Sequence, residues 1–260
     1  MAQIEMSTDE TLRKIGRAAK RRHKSGGFSI EILYPGMSEG GGDSGVGTIG
    51  RIDDADVAPG TLVAMHPHRD DEILTYLRAG RVMHKDTLGQ IEWISPARLM
   101  LMGAGRVFQH EELVDPAGEP LRALQIFLRP RIDGLEPEVQ FHTFETPTSH
   151  GAWRRIAGPE AGAPLRVRSS SWVDDGRFEK GALIALPLSA IDRPTRLLYV
   201  FSGSVSLSGV ELSTDESVIL GAGDYSLKTL DDSELVVLTT DVSAPVFTGG
   251  MFSGNVVPPR

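Results

Sequence analysis

Residues 61–80 read Thr61-Leu62-Val63-Ala64-Met65-His66-Pro67-His68-Arg69-Asp70-Asp71-Glu72-Ile73-Leu74-Thr75-Tyr76-Leu77-Arg78-Ala79-Gly80. Two apolar runs, each too short for a stable helix, are parted by a charged break and closed by Ala-Gly. That is the pattern of successive β-strands. It continues downstream, with strands expected over 81–85, 90–94, 99–102, 106–112 and 122–129. The breaks fall at Leu88-Gly89, Ser95-Pro96, Gly103-Ala104-Gly105 and 116–120. Short strands at this spacing predict an all-β sandwich or barrel. The 29 glycines and 16 prolines agree with a turn-rich chain. Residues 38–50 and 158–164 read as loops, and 130–147 as a proline-bearing connector.

On a strand, alternate side chains share a face. His66 and His68 therefore point together, and so do His110 and Glu112. Three imidazoles and a carboxylate suit a borderline divalent transition metal such as iron, nickel, copper, zinc or manganese better than magnesium or calcium. The set is read as a metal site rather than as a polar cluster. Such a set leaves positions open on an octahedral ion, as substrate or oxygen activation requires. Glu72 shares the parity of His68. By spacing alone it is either a ligand in place of Glu112 or a carboxylate orienting an imidazole. His84 is read as making a cross-strand hydrogen bond. His142 and His150 are given no role, and His23 is read as exposed.

Composition excludes several alternatives. With no cysteine, disulfides, thiolate sites and cysteine nucleophiles are impossible. A formal net charge of −8 disfavours general nucleic-acid binding. No apolar run approaches the roughly 18 residues of a membrane span, and the start of the chain lacks a signal-peptide pattern. A cytoplasmic protein is expected, with no direct nucleic-acid or membrane partner. The basic stretch 11–24 is read as a solvated leading segment. Gly36-Met37-Ser38-Glu39-Gly40 matches a nucleophile elbow by letter, but a glycine-rich loop follows where a helix is needed. No phosphate-binding loop is present, because no Lys-Ser/Thr follows the glycines of 40–50.

The second half weakly repeats the first. Tyr76-Leu77-Arg78-Ala79-Gly80-Arg81-Val82 compares with Tyr199-Val200-Phe201-Ser202-Gly203-Ser204-Val205, and 94–98 with 219–224 at nearly the same offset. A duplicated β-barrel follows. The positions equivalent to the metal set hold no histidine. The second barrel should then have an apolar interior and no metal.

These residues resemble the pirins, members of the cupin superfamily. The resemblance is carried by His66-Pro67-His68-Arg69, Glu72, Thr75-Tyr76, Gly80, His84, Asp86, Leu88-Gly89, Ser95-Pro96, Ala104-Gly105 and His110-x-Glu112. Val57-Ala58-Pro59-Gly60 and Leu124-Gln125-Ile126-Phe127 also match, as does Glu136-Pro137-x-x-Gln140. The match is specific over 57–142 and faint beyond 150. It implies two cupin-type (double-stranded β-helix, or jelly-roll) barrels in tandem, with residues 1–145 binding the metal and 146–260 forming a divergent barrel without one. It implies one metal, usually Fe(II), held by His66, His68, His110 and Glu112, with Glu72 behind the ligands. It implies either quercetin 2,3-dioxygenase-type turnover of a flat aromatic substrate, or regulation through a transcription factor or metabolic enzyme. In the enzymatic case Glu112 or Glu72 takes the substrate's hydroxyl proton. Met65, Leu74, Met83 and Phe108 are candidates for the pocket wall. The chain departs from the family in its Gly-rich stretch around Gly40, where pirins are aromatic-rich, and in its second half.

Overall fold

The computed structural model describes residues 12–37 and 40–258. Each half is a sandwich of a seven-stranded and a four-stranded sheet. The first large sheet is centred on Arg98–Gly103, Glu72–Ala79, Leu121–Leu128 and Ile49–Val57, neighbours in that order. The second is centred on Ser217–Leu220, Thr195–Ser202, Ser233–Thr240 and Ser171–Phe178 in the corresponding order. The small sheets correspond as well. Leu62–His68, Phe108–Val114, Val82–Asp86 and Ile91–Ile94 match Leu183–Ile184, Leu227–Thr229, Ser204–Leu207 and Val210–Ser213. The duplication expected from sequence is therefore present strand by strand, and the architecture is that of the cupin sandwich.

Alternation along the central strands builds three cores. Ile73, Leu77, Ala123 and Phe127 fill the first sandwich. Leu198, Val200, Leu235 and Val237 fill the second, whose interior is apolar as expected. The residues between them in sequence, among them Leu74, Tyr76, Leu124, Ile126, Leu197, Tyr199 and Val236, form a third core between the halves. At about 1.5–3 kcal/mol for each fully buried large aliphatic side chain, this shared layer fastens one half to the other. The two tyrosines equated by the repeat tie it reciprocally. Tyr76 donates to Asp175 of the second half at 3.0 Å, and Tyr199 donates to Asp54 of the first at 2.7 Å.

Three expectations change. The basic segment is not a solvated leader. Leu12–Ile15 pairs with Ser217–Leu220, Arg21–Ser25 joins the first large sheet, and Lys20 is buried against Asp54 and Tyr199. The connector at 130–147 contains the strand Glu138–Thr143, paired with Arg98–Gly103. The loop 38–50 holds Gly42–Asp43, paired with Val256–Val257, and gives way to the Ile49–Val57 strand. Ser38 and Glu39 of the serine motif lie outside the described residues. No helix among the described residues is long and apolar enough to cross a membrane.

Candidate metal centre

His66 and His68 come from one strand of the first small sheet, and His110 from its neighbour, directly opposite His66. Their side chains converge as the alternation requires. His68 Nε2 lies 3.1 Å from His66 Nε2 and 3.1 Å from His110 Nε2. Two nitrogens each about 2.1 Å from one ion, at a right angle, would be about 3.0 Å apart. The spacing therefore fits three ligands on one ion.

The surrounding hydrogen bonds decide which nitrogens are bare. His66 Nδ1 is 2.8 Å from the Ala64 carbonyl, which can only accept, so its proton sits there and Nε2 is free. Asp86 accepts from His84 Nε2 at 2.7 Å. That leaves His84 Nδ1 as an acceptor, 3.3 Å from His110 Nδ1. The His110 proton is held on Nδ1, and its Nε2 lone pair faces the other two rings. Burial, reinforced by the neighbouring His66 and Arg51, pushes His68 down to about 3. Burial and the adjacent histidines also hold His110 well below the ordinary imidazole value. Neutral imidazoles with converging lone pairs are what a divalent transition metal needs.

Glu112 is placed less simply. A register shift separates it from His110 on the side facing the Leu62–His68 strand. Its Oε1 lies 3.9 Å from His110 Nδ1, the ring nitrogen that is not part of the three-nitrogen focus. It groups with His84 and His110, while His66, His68 and His110 form their own group. Oε1 is buried without a hydrogen-bond partner, and Oε2 accepts only a long 3.4 Å bond from Gln125. Burial raises this carboxyl to about 7.

Glu72 goes elsewhere. The turn through Asp70, whose φ is 52°, carries the chain from the small sheet to the large one, so parity with His68 does not survive. Glu72 faces the second half, where both oxygens accept from the Arg168 backbone N–H at 2.7 and 3.0 Å. It does not line the cavity beside the histidines.

That cavity has a volume of about 210 Å³ and a mostly apolar wall that includes Ala55, Val57, Ala123, Phe127 and Phe252. None of Met65, Leu74, Met83 and Phe108 belongs to the wall. Leu74 packs between the halves, and Phe108 lies in the first core, its ring parallel to that of His84. Sequence reasoning also missed the Arg51–Asp53 pair, which enters the cavity from Ile49–Val57 with contacts of 2.6 and 2.5 Å. The alternation Arg51, Asp53, Ala55, Val57 was a usable signal for it. Nothing local signals Phe252, which arrives from the far end of the chain. Its segment is fixed by Asp71, which accepts from Phe252 N, Ser253 N and Ser253 Oγ at 3.0, 2.9 and 2.7 Å.

Comparison with known proteins agrees with this geometry. The family model described as Pirin matches residues 43–128, the stretch that carries the three histidines. A quercetin 2,3-dioxygenase of Escherichia coli (strain K12) is 27% identical over 194 residues, covering 74% of this chain and 80% of that one. A pirin-like protein of Caulobacter vibrioides is 29% identical over 189 residues, covering 71% and 80%. The crystal structure of a bacterial pirin from Escherichia coli in complex with nickel(II) superposes with a TM-score of 0.75 at 22% identity, covering 90% of this chain and 100% of that one. With the matched stretch falling on the strands that carry the histidines, and the fold alike over 90% of its length, the chain is similar to the pirins of the cupin superfamily.

Proposed function

We propose that this protein is a metal-dependent dioxygenase of the quercetin 2,3-dioxygenase type, acting on a flat, enolisable aromatic substrate. One observation carries the reading. Three imidazole nitrogens converge at ligand spacing beside an apolar cavity, two of them held bare by their own hydrogen bonds. In this reading His66, His68, His110 and Glu112 hold one divalent metal. Iron(II) is the first choice, and nickel, copper, zinc and manganese suit the same donors. Glu112 joins the set by turning its unpartnered Oε1 towards the three nitrogens.

The bound metal would supply Lewis acidity towards a substrate enolate oxygen and redox chemistry with dioxygen. The chain's own residues do the rest. The apolar wall holds a flat ring and excludes water. Asp86 and His84 keep His110 in one tautomer. Glu112, by leaving the ligand set, would free Oε1 to accept the substrate's hydroxyl proton.

The proposal includes a metal-bearing first unit of residues 1–145 and a second unit of 146–260 without metal. It also includes a cytoplasmic location, compatible with a chain free of cysteine. The test is oxygen consumption by iron-loaded protein with a series of enolisable aromatic compounds, from the single ring of 3-hydroxypyran-4-one to quercetin, together with metal analysis of the same sample. Metal-dependent uptake that is lost in His110→Ala is the expected result. Full metal content without uptake would overturn the enzymatic reading in favour of a metal-dependent regulator that docks on a transcription factor or metabolic enzyme.

A further inference from the structure

The size of the cavity bears on the substrate. A closed apolar cavity of about 150 Å³ accommodates one benzene. Pockets that enclose drug-sized molecules start at about 300 Å³. At about 210 Å³, the space beside the three imidazoles has room for one substituted ring. A three-ring flavonol does not fit inside it.

The wall that limits this volume is not free to move aside. The Phe252 ring lies 5.2 Å from His68 and 5.4 Å from Phe127. Its backbone is pinned by the carboxylate of Asp71, and Arg129 Nε donates to the next carbonyl, Ser253 O, at 2.8 Å. The Arg51 guanidinium packs beside both the Phe127 and Phe252 rings, 5.3 and 5.1 Å from their centroids.

The polar groups in the wall show what the ring must carry. Thr75 is 2% exposed, lines the cavity and has an Oγ1 with no partner. A buried hydroxyl left unpaired costs about 1–3 kcal/mol, so a ligand oxygen that accepts from it recovers a real penalty. Arg51 spends Nε and Nη2 on Asp53, and among the described residues its Nη1 donors meet no acceptor. Asp53 cancels the charge of Arg51, so the wall offers donors without demanding a second anionic group.

We propose that this site takes a one-ring substrate. It is a hydroxylated enolone or catechol-like ring whose adjacent oxygens would face the metal held by the three imidazoles, with a further oxygen accepting from Thr75 or Arg51. The inference rests on the metal-dependent reading of the site given above.

The test compares two probes with the same enolone head, 3-hydroxypyran-4-one with one ring and 3-hydroxyflavone with three. Each is titrated by calorimetry into nickel(II)-loaded full-length protein. Greater apolar surface alone would favour the flavone. The expected result is the reverse, the single ring binding at least about tenfold tighter. Phe252→Ala should shrink that ratio by improving flavone binding. Thr75→Val should weaken the single ring by up to about tenfold, the value of one hydrogen bond, with bound nickel unchanged and the thermal stability of the ligand-free protein raised. A merely structural Thr75 would not produce that combination. Flavone binding as tightly as the single ring to the unaltered protein would overturn the inference and leave the dioxygenase reading standing. Binding of neither probe at full nickel occupancy would overturn both.

Discussion

The Nδ1 atoms of His84 and His110 lie 3.3 Å apart, so one of them carries the proton and the other accepts it. Asp86 decides which. Its Oδ2 takes the Nε2 proton of His84 at 2.7 Å, while its Oδ1 accepts from Leu88 N and Gln90 N in the following turn. In Asp86→Asn, the amide oxygen can keep the turn and the NH2 then faces His84 Nε2. That donor forces the His84 proton to Nδ1 and the His110 proton to Nε2, into the ligand focus. Nickel(II) affinity should fall about 10–100-fold, measured by competition with a chelator. The metal-free variant should unfold at the temperature of the unaltered protein. An unchanged affinity would sink the relay.

Glu72 joins the two halves. It accepts the Arg168 N–H with both oxygens and meets Arg168 Nε at 3.4 Å, almost fully buried. Glu72→Ala leaves that N–H without its acceptor and the guanidinium with the Glu136 carbonyl alone. The loss should be about 2–3 kcal/mol, read from denaturant unfolding, with no change in bound metal per chain. Loss of metal at unchanged stability would instead restore Glu72 to the metal centre.

Metal should stabilise the fold, because only the native chain brings the three imidazoles together. At a free nickel(II) concentration about a hundred times its Kd, the gain should be about 2.7 kcal/mol. Thermal melts with nickel and with a chelator measure it. In His68→Ala the two melts should coincide, and a persisting difference would place the ion elsewhere.

Much of this was legible in the sequence, for physical reasons that also mark where reading stops. Strand periodicity found the seven strands of 61–129 to within a residue or two, and parity brought His66, His68 and His110 to one face. Parity is a property of one continuous strand, however. It failed for Glu72 because Asp70 turns the chain into another sheet, and it weakened for Glu112 because a register shift follows His110. The cavity wall was misjudged for a similar reason. Each strand of the large sheet has two buried faces, one inside the sandwich and one against the other half, so hydrophobicity alone cannot choose between Leu74 and Thr75. Phe252 and the pairing of Leu12–Ile15 with Ser217–Leu220 depend on contacts distant in sequence, which no local pattern encodes.

Asp54 and Asp215 set the final prediction, on pH. They share a cluster between the halves with Lys20, Tyr199, Arg122 and Arg17. Lys20 Nζ is 3.3 Å from Asp54, and Arg122 is 3.4 Å from Asp54 and 3.7 Å from Asp215. Arg17 is 3.5 Å from Asp215. Burial opposes ionisation of Asp54, but Lys20, Tyr199 and Arg122 together hold it below the ordinary carboxylate value. Burial, and then the negative charge of Asp54, raise Asp215 to about 6. A carboxyl raised on folding favours its protonated form in the native state. Its contribution is therefore greatest below the unfolded value near 3.8 and is lost as pH rises through about 6. The loss amounts to at most about 3 kcal/mol. Asp215 has a φ of 67°, a conformation that asparagine also tolerates, so Asp215→Asn removes the titration without straining the backbone. Guanidinium unfolding of both proteins at pH 4.5 and 7.0 measures the effect. The variant should gain on the unaltered protein between the two pH values, and an equal difference at both would show that Asp215 ionises in the folded protein as it does in the unfolded chain.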